Sequence, residues 1–421
     1  MHNSRQTGQK VIVTQLGARN HYAAPLAFFR AGMLHTFHTD IWTGGFLGKT
    51  LRLIARNINS KELRKWAGRY CQELSDSKVK SHSFIGYKYA FYKRQARSLE
   101  HSLRIDLLAA KSFCETVAKN GLDQSEIVYC VKDAKEIFEV AEDKYKVLEQ
   151  VDCPRLYWEI RSQEVSYWRG WEEDVQSSLL DEILNEIFER DSFTQVHADK
   201  IIAPSEFVLQ YLISEGVNPS KVKIVPYGFD FCVKERVLKR YDGRRKLRIL
   251  YVGAVNLMKG IPYLLKALDV LSEKHIEVCL VGPILIKEKI ISKWRKKFNF
   301  VGMVPRSDVN KFYEWADIFV FPSLCEGSAL VQYEALSFGL PIVTTFNSGN
   351  IVIEGEQGFV VPIRDSEAIA NTITNFLESP ELIIEMSQAA FHLAAKHTMK
   401  HYISQLVEGV VNEDAICRPR L

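Results

Sequence analysis

Apolar residues along the chain gather in short runs that stop at glycine, each followed by a stretch with helical spacing. VIVTQLG (Val11 to Gly17) is the first such run, and LRILYVGAV (Leu247 to Val255) is a second that breaks the same way. After Gly260, IPYLLKALDVLSEKH carries apolar residues at the helical period. VCLVGP (Val278 to Pro283), NFVGMV (Asn299 to Val304), IFVFPS (Ile318 to Ser323) and LPIVTT then read as strands, separated by the helices SDVNKFYEWA and ALVQYEALSFG. Strands alternating with helices at this spacing predict an α/β fold with a parallel sheet covered on both faces.

The first half is less regular. Candidate strands are Val11 to Gln15, Ile127 to Val131, Tyr145 to Leu148 and Lys200 to Ala203, with helical stretches at about 49–120 and 160–198. KIVPYGFD (Lys223 to Asp230) followed by the charged KERVLKRYDGRRK marks a linker, which divides the chain into residues 1–235 and 236–399. In open α/β sheets ligands bind outside the carboxyl ends of the strands, so two such domains face one another across a cleft lined by post-strand loops.

Composition narrows the class. With 47% hydrophobic and 25% charged residues the chain is globular, and it has no apolar run of 18 to cross a membrane. MHNSRQTGQK is too short and polar for a secretory signal. The eight cysteines form no CxxC pair, which suits free thiols in a reducing cytoplasm rather than zinc or disulfides. A net charge of +4 does not call for nucleic acid.

Chemistry concentrates in FPSLCEGSALVQYEALSFGLPIV (Phe321 to Val343), a strand, a turn bearing Glu326 and a helix bearing Glu334. The helix is apolar nearly all round, which buries it and, with it, Glu334. A buried carboxylate needs partners, and sugar hydroxyls would supply charge-assisted bonds of about 1.5–3 kcal/mol each. The turn at Gly327 and Ser328 aims backbone N–H groups at a helix start, where a diphosphate is favoured. An internal ion pair or a cap is the structural alternative.

Glu326 and Glu334 stand in the E-x7-E arrangement of retaining GT-B glycosyltransferases, and the chain resembles glycosyltransferase family 4 over roughly half its length. VGAVNLMKGIPYLLKAL, LVGP, FVGMVPRSDVNKFYEWADIFVFPSLCEGSALVQYEAL, GLPIVTT, EGEQGFVVP and APSEFVLQYLISEGVNPSKVKIVPYGFD carry the likeness. It implies the GT-B fold, two Rossmann-like doubly wound domains facing across a cleft, with a last helix at 400–421 packing back on the first. It also implies a retaining, metal-independent transferase (no Asp-x-Asp pair is found) that uses a nucleotide-diphosphate sugar as co-substrate and no cofactor.

By that resemblance Glu334 binds the donor ribose and Glu326 the donor sugar. Gly327, Ser328, Ala329 and Leu330 present amides, Lys259 neutralises the diphosphate, Val301 and Gly302 edge the base, and Gly253 ends the first strand of the donor domain. Pro204 and Ser205 lie near the interdomain region. Relatives often carry an arginine where this chain has Ala254, so one diphosphate cation is missing. In QLGARNHYAAP (Gln15 to Pro25), Gly17 and Arg19 are loop candidates for donor or acceptor contact, and His21 joins Glu326 and Lys259 as a catalytic candidate. Glu149 stands where many relatives place a cleft histidine and is the fourth.

Residues 49–111 hold fifteen Lys and Arg against five Asp and Glu, interleaved with apolar residues. Such a surface suits anionic lipid and a lipid-linked acceptor, with a solvated helical face as the plain alternative. Nucleic acid fits less well, since no binding motif accompanies the charge. His35 and His38 lack a third ligand, so no metal site is expected. The tryptophans of YWEIRSQEVSYWRGWEED stay unassigned. The expectation is a cytoplasmic, membrane-peripheral glycosyltransferase of polysaccharide, glycolipid or other glycoconjugate biosynthesis. A non-catalytic sugar-nucleotide-binding or scaffold protein of the same fold is the second reading.

Overall fold

A computed structural model describes residues 8–57, 66–122, 125–174, 177–229, 237–272 and 274–411. The linker expected at about 235 and residues 412–421 of the last helix lie outside the described residues.

Among the described residues thirteen strands build two parallel sheets. The first contains β1 (Val11–Gln15), β2 (Leu34–Thr39), β3 (Val79–Ser81), β4 (Ile127–Val131), β5 (Tyr145–Glu149), β6 (Lys200–Ala203) and β7 (Val222–Ile224), in the order β3-β2-β1-β4-β5-β6-β7. The second contains β8 (Leu247–Val252), β9 (Ile276–Val281), β10 (Asn299–Gly302), β11 (Ile318–Phe321), β12 (Ile342–Thr345) and β13 (Gly358–Val361), in the order β10-β9-β8-β11-β12-β13. Two doubly wound domains facing each other are the GT-B architecture. Strand order reverses between β1 and β4 and between β8 and β11, and those switch points are where loops part to admit a ligand.

The strands form because their residues are β-branched or apolar on both faces, as a sheet covered on both sides requires. β1, β4, β11 and β12 are buried along their whole length. Val13 sits opposite Phe37 on one side and Tyr129 on the other. The sequence missed β2, β3, β7 and β13. Among the described residues the helical stretch at 49–120 holds β3 and the helices Gly45–Asn57, Ser83–Gln95 and Leu99–Lys119. The helix after Gly260 runs Ile261–Val270, shorter than its apolar pattern suggested.

Helix Met399–Val410 lies on the first domain, where Tyr402, Leu406 and Val410 are buried in the cluster that holds Val11, Phe28 and Tyr129. Gly228 makes that crossing possible, because a Cβ there would fall 2.4 Å from the Thr398 carbonyl oxygen. A second seam joins the domains through helix Pro154–Tyr167. Trp168 Nε1 donates to the Tyr263 hydroxyl at 3.2 Å, and that hydroxyl donates to the buried Glu164 at 2.9 Å. Arg364 Nε donates to the same carboxylate at 2.6 Å. Trp168 of the unassigned aromatic stretch therefore belongs to the interdomain seam, whereas Trp158 lines the interdomain cavity.

Candidate active site between the domains

The loops after β8 and β11 are laced together. Leu324 N–H donates to the Met258 carbonyl at 2.9 Å, and the Ser323 hydroxyl donates to it at 3.3 Å. Gly260 turns the chain at φ +69°, and a Cβ there would lie 2.0 Å from the Pro322 carbonyl oxygen. Only glycine fits that approach, and it brings Lys259 over the next loop. The Lys259 ammonium forms an ion pair with Glu326, which also accepts from Ser323. Burial pulls the lysine's pKa down to about 8, with Cys325 opposing the shift.

Glu334 follows one turn into helix Leu330–Ser337. It is half-buried rather than enclosed. The Tyr313 hydroxyl donates to Oε2 at 2.8 Å, and Arg306 Nη2 stands 3.9 Å from Oε1. Burial raises the carboxyl above its usual range, while Tyr313 and Arg306 pull it back. Arg306 also donates through Nη1 to His21 Nε2 at 2.6 Å. Burial and that guanidinium lower the imidazole's pKa, so it stays neutral near pH 7. His21 thus joins the first domain to the Glu334 end of the site.

A cavity of about 1050 Å³ lies between the domains. Gly17, Arg19, Glu149, Lys259, Glu326, Gly327, Ser328 and Leu330 all line it. Ala329, Glu334, His21, Gly253, Val301 and Gly302 lie outside its lining. Val301 packs against the core from the edge strand β10, the Gly302 carbonyl accepts from Gly282 N–H at 2.9 Å, and Ala329 stands at the N-cap of the helix. Gly253 sits over Tyr251, whose hydroxyl donates to the Ala254 carbonyl at 2.7 Å.

Gly327 closes the cleft from the donor-domain side. Ser205 Oγ donates to its carbonyl at 2.6 Å, and a Cβ on it would fall 1.9 Å from the Val151 carbonyl oxygen. Glu149 ends β5, buried, and accepts from the Tyr129 hydroxyl at 2.7 Å. Burial raises its pKa, against the pull of that hydrogen bond and of Arg19. Gly17 takes φ +83°, and its N–H donates to Asp40 at 3.0 Å.

Sequence reasoning passed over four groups. Asn20, His21 and Tyr22 take φ of 42°, 50° and 64°, a left-handed turn without glycine. Such residues cost energy and cluster where a loop is held for function. Asn20 lines the cavity, and both ends of its buried amide lack a hydrogen-bond partner. Arg306 opens a helix after β10, at the strand end where ligands are expected. Glu172 accepts from Leu257 N–H at 2.6 Å, two residues before Lys259, and from Arg161 of the cavity wall at 2.9 Å. Asp191 accepts from Gln150, Gln195 and Tyr211, and burial pushes it up to about 7.

A metal finds no vacancy in the one candidate cluster among the described residues, Cys114, Asp133 and Glu136. The Arg190 guanidinium already bonds both carboxylates at 2.6–3.0 Å. His35 and His38 point to opposite faces of β2, and His38 Nδ1 meets His82 at 3.0 Å instead.

The family model described as Glycosyl transferases group 1 matches residues 246–379. An uncharacterized glycosyltransferase of Haemophilus influenzae is 31% identical over 166 residues, 37% of this chain and 47% of its own length. The capsular polysaccharide biosynthesis glycosyltransferase CapM of Staphylococcus aureus is 28% identical over 37% of this chain and 42% of its own length. The chain thus spans about half the length of these curated relatives. Among solved structures, Anabaena HepE in complex with UDP and glucose aligns over 95% of this chain and 98% of its own, with TM-score 0.55 and 16% identity. Sucrose-phosphate synthase of Thermosynechococcus elongatus aligns over the same shares, with TM-score 0.59 and 17% identity. Over residues 246–379, its donor-side domain, the chain is thus similar to the glycosyl transferases group 1 family.

Proposed function

We propose that the protein transfers a sugar from a nucleotide-diphosphate donor to a hydroxyl of a carbohydrate or lipid-linked acceptor, with retention at the anomeric carbon and without a metal. The observation that carries this is the Lys259–Glu326 pair at the cavity floor, with Glu334 one turn into the helix that follows. Glu334 holds the ribose hydroxyls, Glu326 the donor sugar, and Lys259 with the amides of Gly327 to Leu330 the diphosphate. Arg306, beside Glu334, supplies the second cation that Ala254 lacks.

The chemistry asks for charge stabilisation and positioning. As the anomeric C–O bond to the diphosphate breaks, Lys259 meets the growing negative charge. The acceptor oxygen attacks from the same face, and its proton passes to the departing phosphate oxygen. The first domain holds the acceptor in the shared cavity, where Asn20 and Arg19 offer polar contacts and closure excludes water. The relatives' printed names, CapM in capsular polysaccharide biosynthesis among them, support a role in glycoconjugate assembly.

The test is a thermal-shift panel with UDP, GDP, ADP and CMP, without metal and then with magnesium. One nucleotide should raise the melting point without metal, and Glu334→Ala should abolish the rise. No shift with any of them contradicts the donor assignment.

A further inference from the structure

We propose that helix Ser83–Gln95 is a membrane-docking element that rests on a bilayer with anionic headgroups. Phe84 is 80% exposed, Phe91 60%, Tyr87 48% and Tyr92 43%. Positions 84, 87, 88 and 91 fall on one face of a helix, so three aromatic rings and Lys88 share one outward stripe. The opposite face is the packed one. Gly86 is buried, and a Cβ there would meet Ile41 at 2.3 Å. Lys93 is paired with Asp106 at 2.6 Å. A helix of a globular protein normally turns its aromatics inward, so this one presents an apolar stripe that needs a cover.

Charge selects the cover. The helix carries Lys88, Lys93 and Arg94 and no acidic residue. Lys80, Arg97 and Arg104 near its ends in the chain are exposed as well. Aromatic rings framed by lysine and arginine match the boundary of an anionic bilayer, where rings sit at headgroup depth and cations meet phosphate. Among the described residues no helix is long and apolar enough to cross a membrane, so the contact is a surface one.

The same helix reaches the site. Tyr89, on its inner side, lines the interdomain cavity and donates to Asp106, another lining residue, at 3.0 Å. One helix diameter, about 10 Å, separates the outer stripe from the cavity wall. A lipid-borne acceptor held in the bilayer therefore presents its headgroup beside the cavity that Lys259 and Glu326 line. This last step rests on the proposed sugar transfer, whereas the docking itself does not.

The experiment is flotation of the full chain with phosphatidylcholine vesicles, with and without phosphatidylglycerol, at low and high salt. Wild type should float with the anionic vesicles at low salt and lose most binding at high salt. Phe84→Ser/Phe91→Ser should bind roughly tenfold or more weakly, with an unchanged melting point and unchanged nucleotide-induced shift. Lys88→Glu should weaken binding to anionic vesicles only. Wild type left unbound by anionic vesicles, or a double variant that binds as well as wild type, overturns the proposal. So does a concentration-dependent dimer by light scattering that the double variant abolishes, since a second copy would then cover the stripe. Vesicle binding without any nucleotide-induced shift would leave docking intact and sink the transferase reading instead.

Discussion

Lys259→Met removes the charge at the cavity floor while keeping the length of the side chain. In the unliganded protein that ammonium lies against Glu326. A bound diphosphate competes for it, so two terms are lost together. The charge-assisted contact to phosphate contributes about 1.5–3 kcal/mol. The uncovered Glu326 then repels the diphosphate, by about 3 kcal/mol for charges roughly 5 Å apart at an effective dielectric near 20. Each 1.4 kcal/mol is about tenfold in affinity, so the two terms, together about 4.5–6 kcal/mol, should weaken binding by roughly a thousandfold or more. At a ligand concentration about 100 times the wild-type Kd, stabilisation of about 2.7 kcal/mol should drop to about 0.4 kcal/mol or less, nearly abolishing the thermal shift. Glu326→Gln should do the reverse for a nucleoside diphosphate that carries no sugar. It frees the lysine and tightens binding. The double variant should recover part of the loss, because it removes the repulsion along with the attraction. Calorimetric titration of the four proteins gives the cycle. Equal affinities for wild type and Lys259→Met would refute the placement of the diphosphate.

Three further outcomes follow from the same contacts. Glu172→Ala strips the acceptor from the buried Leu257 N–H and leaves Arg161 unpaired, so nucleotide affinity should fall about tenfold, with Glu172→Gln close to wild type; titration with the bound nucleotide checks both. Asp191 holds its proton more tightly folded than unfolded, so its contribution is full below about pH 4 and is lost as pH rises through about 7. Asp191→Asn should flatten that fall in denaturant-measured stability, which is at most about 4 kcal/mol, and an unchanged pH profile would contradict the burial argument. Asn20→Gly should relax the left-handed turn and remove an unpaired amide, raising the melting point while turnover drops; a melting point at or below wild type would show that the turn is unstrained.

The donor half was legible, except for β13, because its other strands are short apolar runs and its functional turn is continuous in sequence. Phe321 to Ser337 carries strand, Glu326, helix start and Glu334 in order, so local pattern and site coincide. The first domain hides its strands. β2 carries two histidines among its six residues, and the buried one, His38, meets His82 from 44 residues away. β3 and β7 are three residues each, too short for a period of two to register. Lys259 could be singled out by the glycine beside it. Arg306 and Glu172 could not, since each acquires its role from a contact across the domains, with His21 and with Leu257. Asn20 was hidden for another reason. Its left-handed turn contains no glycine to announce it.

The central claim is that this cleft consumes a nucleotide sugar. The decisive measurement is proton NMR of the protein with the sugar of whichever nucleotide it binds, plus acceptor-bearing lipid vesicles, in the presence of a chelator. The account predicts release of the nucleoside diphosphate, an anomeric configuration in the product equal to that of the donor, and loss of both in Glu326→Ala. A donor that binds tightly, with Glu334 and Lys259 required, yet persists unconsumed would contradict transfer and leave a sugar-nucleotide-binding protein in its place.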